Sequence, residues 1–327
     1  MREQGVLGWA TDALVKLDDA APGVLARVLT AAPARRQAIF AALAHWKREK
    51  EGAPLVELTE VVRHGRPADI LRHALEVVPL GYAGLLERIG EQPLASANDY
   101  LILRDLCASP YAKAADALRA CRKITHTTLR IAMTLDHRWV HANLLSRIDT
   151  LVEANDFNFA VGCIQSVSTK ATDEAVAEAI ARLAPATTTA RLLTRMMHRA
   201  DRLPVHPIED GDNEIRPVLH MRDYVWAARR YRNCLADNLD RVASGAMAIA
   251  EFRDECLVEF RPLTTAGGWV VWQVHGHRNR PVPCELVAEA VAACNRRGVP
   301  GVRNPAVNQE WRSYRRVSRI LDLDWAA

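Results

Sequence analysis

The chain has 327 residues and a formal net charge of +4, and 49% of its side chains are apolar while 25% are charged. This composition excludes an intrinsically disordered chain, and a membrane span is not expected because no run of 18 apolar residues occurs. The N-terminus lacks the basic-then-apolar layout of a signal peptide, and the seven cysteines contain no C-x-x-C pair. We therefore expect a cytoplasmic protein without disulfides and without a membrane partner.

Residues 1–200 are predicted to form an all-helical domain. Their apolar side chains recur with helical spacing, strand-like alternation is missing, and Pro- and Gly-containing breakers interrupt the pattern at short intervals. Many short helices with short connections indicate an antiparallel multi-helix bundle or an irregular helical repeat. Such a surface is typical of proteins that dock a protein partner.

One pair of histidines in this region has the spacing of metal ligands. His137 and His141 are predicted on adjacent turns of a helix, but Arg138 stands where a zinc protease carries its glutamate. We interpret both as ordinary helix residues.

A linker and a second module are predicted after residue 200. Residues 201–220 are polar and contain several prolines and glycines, which indicates a linker. Residues 221–327 are predicted to form a small basic α+β module with a C-terminal amphipathic helix. Its first helix is indicated by apolar residues at helical spacing: Tyr224, Ala228, Tyr231, Leu235, Leu239 and Val242.

A three-stranded antiparallel sheet is predicted next. The strands cover 247–253, 256–261 and 269–275, and short or Gly-containing connections join them. A helix follows Pro283 and is capped by Gly298. The fold class is therefore mostly α, with the helical domain followed by this small α+β module.

The predicted sheet has an apolar face and a polar face, because side chains alternate along a strand. The apolar face collects Ala250, Phe252, Val258, Phe260, Trp272 and Val274. The polar face collects Glu251, Glu259, Arg261, Gln273 and His275. This face is either the solvated side of an antiparallel sheet or a site with Glu259 as acid–base residue and Gln273, His275 and Asn279 as substrate-orienting residues.

The excess of positive charge lies in the last third of the chain. Residues 1–221 hold equal numbers of basic and acidic side chains, whereas residues 222–327 hold sixteen arginines, no lysine and twelve acidic side chains. Arg278 and Arg280, in the turn after the third strand, are candidates for phosphate contact. The histidines of that turn lack further ligands, so neither a metal nor another cofactor is expected.

The last predicted helix, about 308–321, has a stripe of arginines at i, i+3, i+4 and i+7: Arg312, Arg315, Arg316 and Arg319. Such a stripe is typical of a nucleic-acid contact. The alternative is a solvated face that pairs with carboxylates of the helical domain.

Residues 222–300 resemble the PcfJ-like proteins of conjugative plasmids and related bacterial elements. The similar stretches are 233–238 (NCLADN), 242–245 (VASG), 248–252 (AIAEF), 257–261 (LVEFR) and 269–276 (WVVWQVHG). The residues that match the family motif are Cys234, Gly245, Glu259, Gln273, Gly276 and Asn279. The family usually has a histidine before the cysteine, where this chain has Asn233. The resemblance implies an association with conjugative DNA transfer and mobile elements, and it implies no catalytic activity.

Three functions remain open from the sequence. The first is an accessory protein of a mobile element or conjugation-type system that binds nucleic acid, with DNA favoured, or a nucleoprotein assembly through its basic module. The second is an enzyme of unknown reaction with a polar site on the exposed face of the sheet. The third is a helical scaffold or adaptor protein.

Overall fold

The predicted fold class is confirmed by a computed structural model, which is mostly helical with a small antiparallel sheet. The chain divides into two compact units, residues 1–162 with 172–193 and residues 163–171 with 194–327. The second unit thus includes the segment that the sequence analysis assigned to a linker. The residues that the structure describes are 7–49, 54–107, 112–263 and 267–301.

Short α-helices make up the chain before residue 200. They are α1 (Thr11–Ala20), α2 (Val24–Leu29), α3 (Pro33–Glu49), α4 (Thr59–His64), α5 (Pro67–Ala74), α6 (Tyr82–Glu87), α7 (Ala97–Asp105), α8 (Ala112–Ala120), α9 (His126–Thr134), α10 (Ala142–Leu145), α11 (Leu151–Val167), α12 (Asp173–Ala181) and α13 (Thr189–Met197). Local sequence explains their starts. In α5, Pro67 occupies the first turn, and the Asp69 carboxylate accepts the Arg66 N–H at 3.2 Å.

A buried polar chain joins α3 to α6 and α7 in the first unit. The Tyr100 hydroxyl donates to Gln37 Oε1 at 2.7 Å, and the Tyr82 hydroxyl donates to the Tyr100 carbonyl at 3.1 Å. His45 Nε2 lies 3.0 Å from the Tyr82 hydroxyl. Burial raises the pKa of both tyrosines, so they remain neutral donors inside the helical core.

His137 and His141 do not share a helix. The carboxylate of Asp136 accepts the N–H of Arg138 at 2.9 Å, which forms a turn that ends the helical path after α9. His137 lies in this turn, and His141 precedes α10, where its Nδ1 accepts the N–H of Asn143 at 3.1 Å. The prediction of a continuous helix here is therefore wrong.

The sheet of the second unit has four strands instead of the three predicted. They are β1 (Ile215–Pro217), β2 (Ala248–Phe252), β3 (Cys256–Pro262) and β4 (Trp269–His275), paired antiparallel in the order β1-β2-β3-β4. β1 lies in the predicted linker, where three residues that include a proline give no detectable alternation. At the outer border of the sheet, the N–H of Val271 in β4 donates to the carbonyl of Pro300 at 2.9 Å.

The first predicted helix of the second unit is divided. α14 (Met221–Tyr231) ends because Arg232 adopts a left-handed conformation with φ of 48°, and a 3₁₀ turn (Cys234–Asn238) leads into α15 (Leu239–Ala243). The side chain of Asn233 accepts the N–H of Leu235 at 3.1 Å and so begins the turn. The six apolar residues predicted from helical spacing are nevertheless all buried in one cluster.

Helices cover both faces of the sheet. On one face, α14 and α15 pack over Ile249 and Leu257. On the other, α16 (Cys284–Arg296) packs with β2, β3 and β4, and Phe252 and Phe260 are fully buried there. The polar face predicted from the sequence is therefore partly covered by α14 and α15.

A β-bulge changes the predicted apolar face. Glu259 pairs with Gln273, but Phe260 then pairs with Val271, so β4 has one extra residue at Trp272. Val271 takes the core position that the regular alternation assigned to Trp272.

Among the described residues, no helix combines the length and apolar character needed to cross a bilayer.

Candidate functional site

The buried carboxylate of Glu259 is the centre of the polar cluster on β3 and β4. Glu259 is only 7% exposed, and His275 lies on the same face of the neighbouring strand. Glu259 Oε2 is 2.9 Å from His275 Nε2, and Glu259 Oε1 accepts the Nε–H of Arg261 at 2.8 Å. Both carboxylate oxygens are therefore occupied by donors.

These contacts keep Glu259 ionised. Burial alone would raise the pKa of its carboxyl group, but the hydrogen bonds from His275 and Arg261 outweigh burial and lower the pKa below its usual value. A carboxyl group in this state is a poor proton donor at neutral pH. The geometry instead suits Glu259 to orient His275, because a proton on Nε2 is held by the carboxylate and the ring is fixed in direction.

Arg261 is held on two sides. Its guanidinium carbon lies 4.0 Å from the centroid of the Trp272 ring, in addition to the bond to Glu259. A cation over an indole face is stabilised by the ring quadrupole. The bulge at Trp272 thus brings an aromatic ring to the polar cluster.

The turn after β4 has a defined backbone conformation. Arg278 and Asn279 adopt left-handed φ angles of 59° and 56°, and the N–H of Asn279 donates to the carbonyl of Gly276 at 3.1 Å. A Cβ at Gly276 would lie 2.8 Å from the Arg280 carbonyl oxygen, which explains why glycine occupies this position. The Asn279 side-chain amide lies 3.6 Å from the Cys234 sulfur, and the turn packs against α14.

Arg278 and Arg280 are exposed on this turn. Neither forms an ion pair with a carboxylate of the described part of the chain. By contrast, ion pairs engage many other arginines of the second unit: Arg216, Arg222, Arg230, Arg253, Arg261, Arg296 and Arg297.

The structure brings together three of the four predicted catalytic candidates. Glu259 contacts His275, and Gln273 is its cross-strand partner with an exposed side chain. Asn279 contacts Cys234 instead, so these two family-motif residues link the turn to the 3₁₀ turn before α15. Of the predicted arginine stripe, Arg312, Arg315, Arg316 and Arg319 lie outside the described residues.

Sequence reasoning missed the partners of Glu251. This carboxylate is 7% exposed and accepts bonds from Arg230 Nη1 at 2.9 Å and Arg216 Nη2 at 3.0 Å, while Asp254 contacts both arginines. Arg216 belongs to β1, which the sequence analysis did not predict. A signal was nevertheless present, since a carboxylate at the centre of a short apolar strand requires cationic partners when helices cover it.

A second ion-pair cluster joins β1 to α16. Glu214 contacts Arg253 at 2.9 Å and Arg296 at 2.7 Å, and Arg297 pairs with Asp212. These contacts connect the loop before β1, the β2–β3 turn and the last turn of α16. They stabilise the arrangement of elements and neutralise arginines that the sequence analysis counted in the excess positive charge of the last third of the chain.

A small cleft lies at the other end of the sheet, and its lining includes Pro204, His206, Gly245 and Trp269. Gly245, with φ of 78°, ends α15 beside Pro204. The predicted catalytic candidates do not line this cleft.

His206 is buried between the cleft and the core. Its Nε2 lies 2.9 Å from the carbonyl of Ile249, its Nδ1 accepts the N–H of Ile208 at 3.0 Å, and its ring packs edge-on against Phe260. Burial lowers the pKa of His206 and outweighs the two backbone bonds, which raise it.

We expect His206 to make the second unit less stable in acid. The unfolded chain binds a proton below about pH 6.5, whereas the folded imidazole stays neutral, so the free energy of unfolding should fall as the pH drops through that value. A His206→Gln variant keeps one donor and one acceptor but does not titrate. Denaturant titrations between pH 7.5 and 5.5 should therefore give a flatter profile for the variant, and identical profiles would contradict the assignment.

No three side chains of the metal-ligand type converge within the described ranges. No protein-family model, curated protein or solved structure matches this chain.

Proposed function

We propose that the second unit binds nucleic acid, with DNA favoured over RNA, and that the protein is an accessory component of a bacterial mobile element or conjugation-type system. The observation that carries the binding proposal is that Arg278 and Arg280 lie together on one exposed turn and pair with no carboxylate of the described residues. The family part of the proposal is supported by the PcfJ-like motifs of residues 222–300.

The free charges of Arg278 and Arg280 favour an anionic ligand. An arginine that already has a carboxylate partner must lose that contact before it can pair with a phosphate. Arg278 and Arg280 have no such partner among the described residues, so each can contribute its full charge. Guanidinium groups match phosphate oxygens in geometry, and contacts of this kind dominate nucleic-acid affinity.

The turn also restricts where these charges lie. Three features limit the backbone conformations that the turn can adopt. They are the left-handed residues, the close approach of Gly276 to the Arg280 carbonyl oxygen, and the hydrogen bond between Asn279 and Cys234. A preorganised pair of arginines loses less conformational entropy on binding than the same residues on a flexible segment.

The test is a salt series of binding titrations with labelled single-stranded DNA, duplex DNA and RNA of equal length. We expect a double Arg278→Ala, Arg280→Ala variant to bind about tenfold more weakly at low salt. The slope of the logarithm of the binding constant against the logarithm of salt concentration should become less steep by about 1.4 to 1.8, which corresponds to the loss of two phosphate contacts.

A matched control removes the same charge from the first unit. Arg72 and Arg182 are exposed and pair with Asp69 and Glu178 in their own helices, so a double Arg72→Ala, Arg182→Ala variant should bind as the wild type does. If both double variants lose the same affinity, the loss follows from net charge alone, and this result would contradict the proposed site. The absence of binding by the wild type at low salt would remove the proposed function.

An enzymatic function is the second candidate, and the contact between Glu259 and His275 favours it. A carboxylate that orients a partly buried imidazole is a common arrangement for a general base. Turnover of a phosphoester, ester or glycoside substrate that disappears in a His275→Gln variant with retained fold would support this candidate.

A further inference from the structure

The outward face of α14 exposes a tryptophan between arginines. Trp226 is 54% exposed, whereas Tyr224, Ala227 and Tyr231 of the same helix are buried in the core. Arg222 lies one turn before Trp226, and Arg229 lies about one turn after it on the same face. The helix therefore presents an aromatic surface to solvent between two arginines.

Arg230 is fixed over one face of the indole ring. Its guanidinium carbon lies 5.1 Å from the Trp226 ring centroid, and its Nη1 contacts Glu251 at 2.9 Å and Asp254 at 3.0 Å. The carboxylates therefore hold Arg230 close to the ring. This arrangement limits the movement of the indole and places the guanidinium over one face of the ring, while more than half of the residue remains accessible.

Arginines lie on both sides of the ring along the helix. Arg229 has no carboxylate partner among the residues described, and its charge contributes, after burial, to the lowered pKa of His198. Arg222 lies 3.5 Å from Asp223, which is a loose contact between neighbours in sequence. An apolar ring within a cationic surface is complementary to a ligand that has both flat bases and phosphates.

We infer that Trp226 is a stacking platform for an unpaired base of single-stranded nucleic acid, with Arg222 and Arg229 beside it for the backbone phosphates. The inference rests on the proposed function and narrows its ligand to single strands. Bases of a duplex stack on each other and expose only their edges in the grooves, whereas unpaired bases present their faces.

The turn with Arg278 and Arg280 packs against α14, the helix that carries Trp226. A strand that contacts the two arginines can therefore continue along the helix toward Trp226. The turn would supply phosphate contacts, and the indole would supply the preference for unpaired bases.

The test compares a Trp226→Ala variant with the wild type on three ligands of equal length: a single-stranded oligonucleotide, its duplex and an abasic single strand. DNA and RNA forms of the single strand separate the two sources of unpaired bases. We expect the variant to bind the base-bearing single strand roughly 10- to 100-fold more weakly. Its affinity for the duplex and for the abasic strand should match that of the wild type.

Two control variants distinguish stacking from folding. Trp226→Phe keeps an aromatic face and should recover most of the affinity. Phe159→Ala removes an aromatic side chain that is 78% exposed in the first unit, and it should not change binding. Circular dichroism of each variant establishes that the fold is retained.

The possible failures are distinct. If the wild type binds none of the ligands, the proposed function and the stacking inference are both wrong. If the wild type binds single strands and Trp226→Ala binds them equally well, the proposed function stands and the stacking inference is wrong. Equal losses on the single strand, the duplex and the abasic strand would also overturn stacking, because bases would then play no part.

Discussion

Replacing Phe260 with alanine is expected to lower the free energy of unfolding of the second unit by about 3–5 kcal/mol. Phe260 is fully buried on β3, contacts the ring of His206 and belongs to the cluster that α16 covers. Truncation removes apolar contacts and leaves a cavity that neighbouring side chains fill only in part.

The measurement should report on the second unit alone, because a chain with two compact units need not unfold in one step. Hydrogen exchange of the β2, β3 and β4 amides under native conditions meets this requirement. Phe159→Ala is the matched control, since Phe159 is exposed in the first unit. Unchanged protection of the sheet in Phe260→Ala would contradict the described core.

Replacing Glu259 with glutamine is expected to lower the free energy of unfolding by about 2–4 kcal/mol at pH 7. The amide oxygen can accept from only one of His275 and Arg261, and the neutral amide lacks the charge that strengthens both hydrogen bonds. The folded pKa of Glu259 is lowered, so its stabilising effect is present above the unfolded value near pH 4.3 and is lost as the pH falls through the folded pKa.

The difference between the wild type and Glu259→Gln should therefore shrink below about pH 4. Glu255→Gln provides the control, because Glu255 is exposed in the β2–β3 turn and its substitution should change stability by less than about 0.5 kcal/mol. Denaturant titrations at pH 7 and pH 3.5 measure both effects. A gap that stays constant with pH would show that the carboxylate charge is not responsible.

Much of the second unit follows from local sequence patterns. Period-two alternation predicted β2, β3 and β4 within two residues at each end, and Pro283 and Gly298 marked the limits of α16. Helical spacing identified the buried side of α14 and α15, although it did not reveal the break at Arg232. Apolar periodicity survives such a break, because burial depends on which side chains face the core.

The parts that the sequence did not predict depend on contacts between distant segments. β1 is too short to show a pattern, and its pairing with β2 became apparent only in three dimensions. The bulge at Trp272 shifts one side chain across the sheet, and regular alternation cannot anticipate an extra residue. The ion pair of Glu251 with Arg216 needs β1 to be in place, so the cluster was missed together with the strand.

The candidate site was anticipated in part. The chemical types of Glu259, Gln273 and His275 suggested a polar cluster, and strand register explains their proximity. The lowered pKa of Glu259 does not suit the acid–base role expected from the sequence. Hydrogen bonds from His275 and Arg261 lower this pKa, and the sequence does not specify the directions of those two side chains.

The borders of the sheet also limit the ways in which this unit can recognise another molecule. β1 has only three residues, and Pro217 has no N–H to offer. At the opposite border, the N–H of Val271 is already bonded to Pro300. Strand addition by an incoming peptide requires a free row of backbone groups, so it is disfavoured along β1 and interrupted at Val271 along β4. Recognition would then depend on side chains and loops, which evolve more readily than the backbone ladder that supports them.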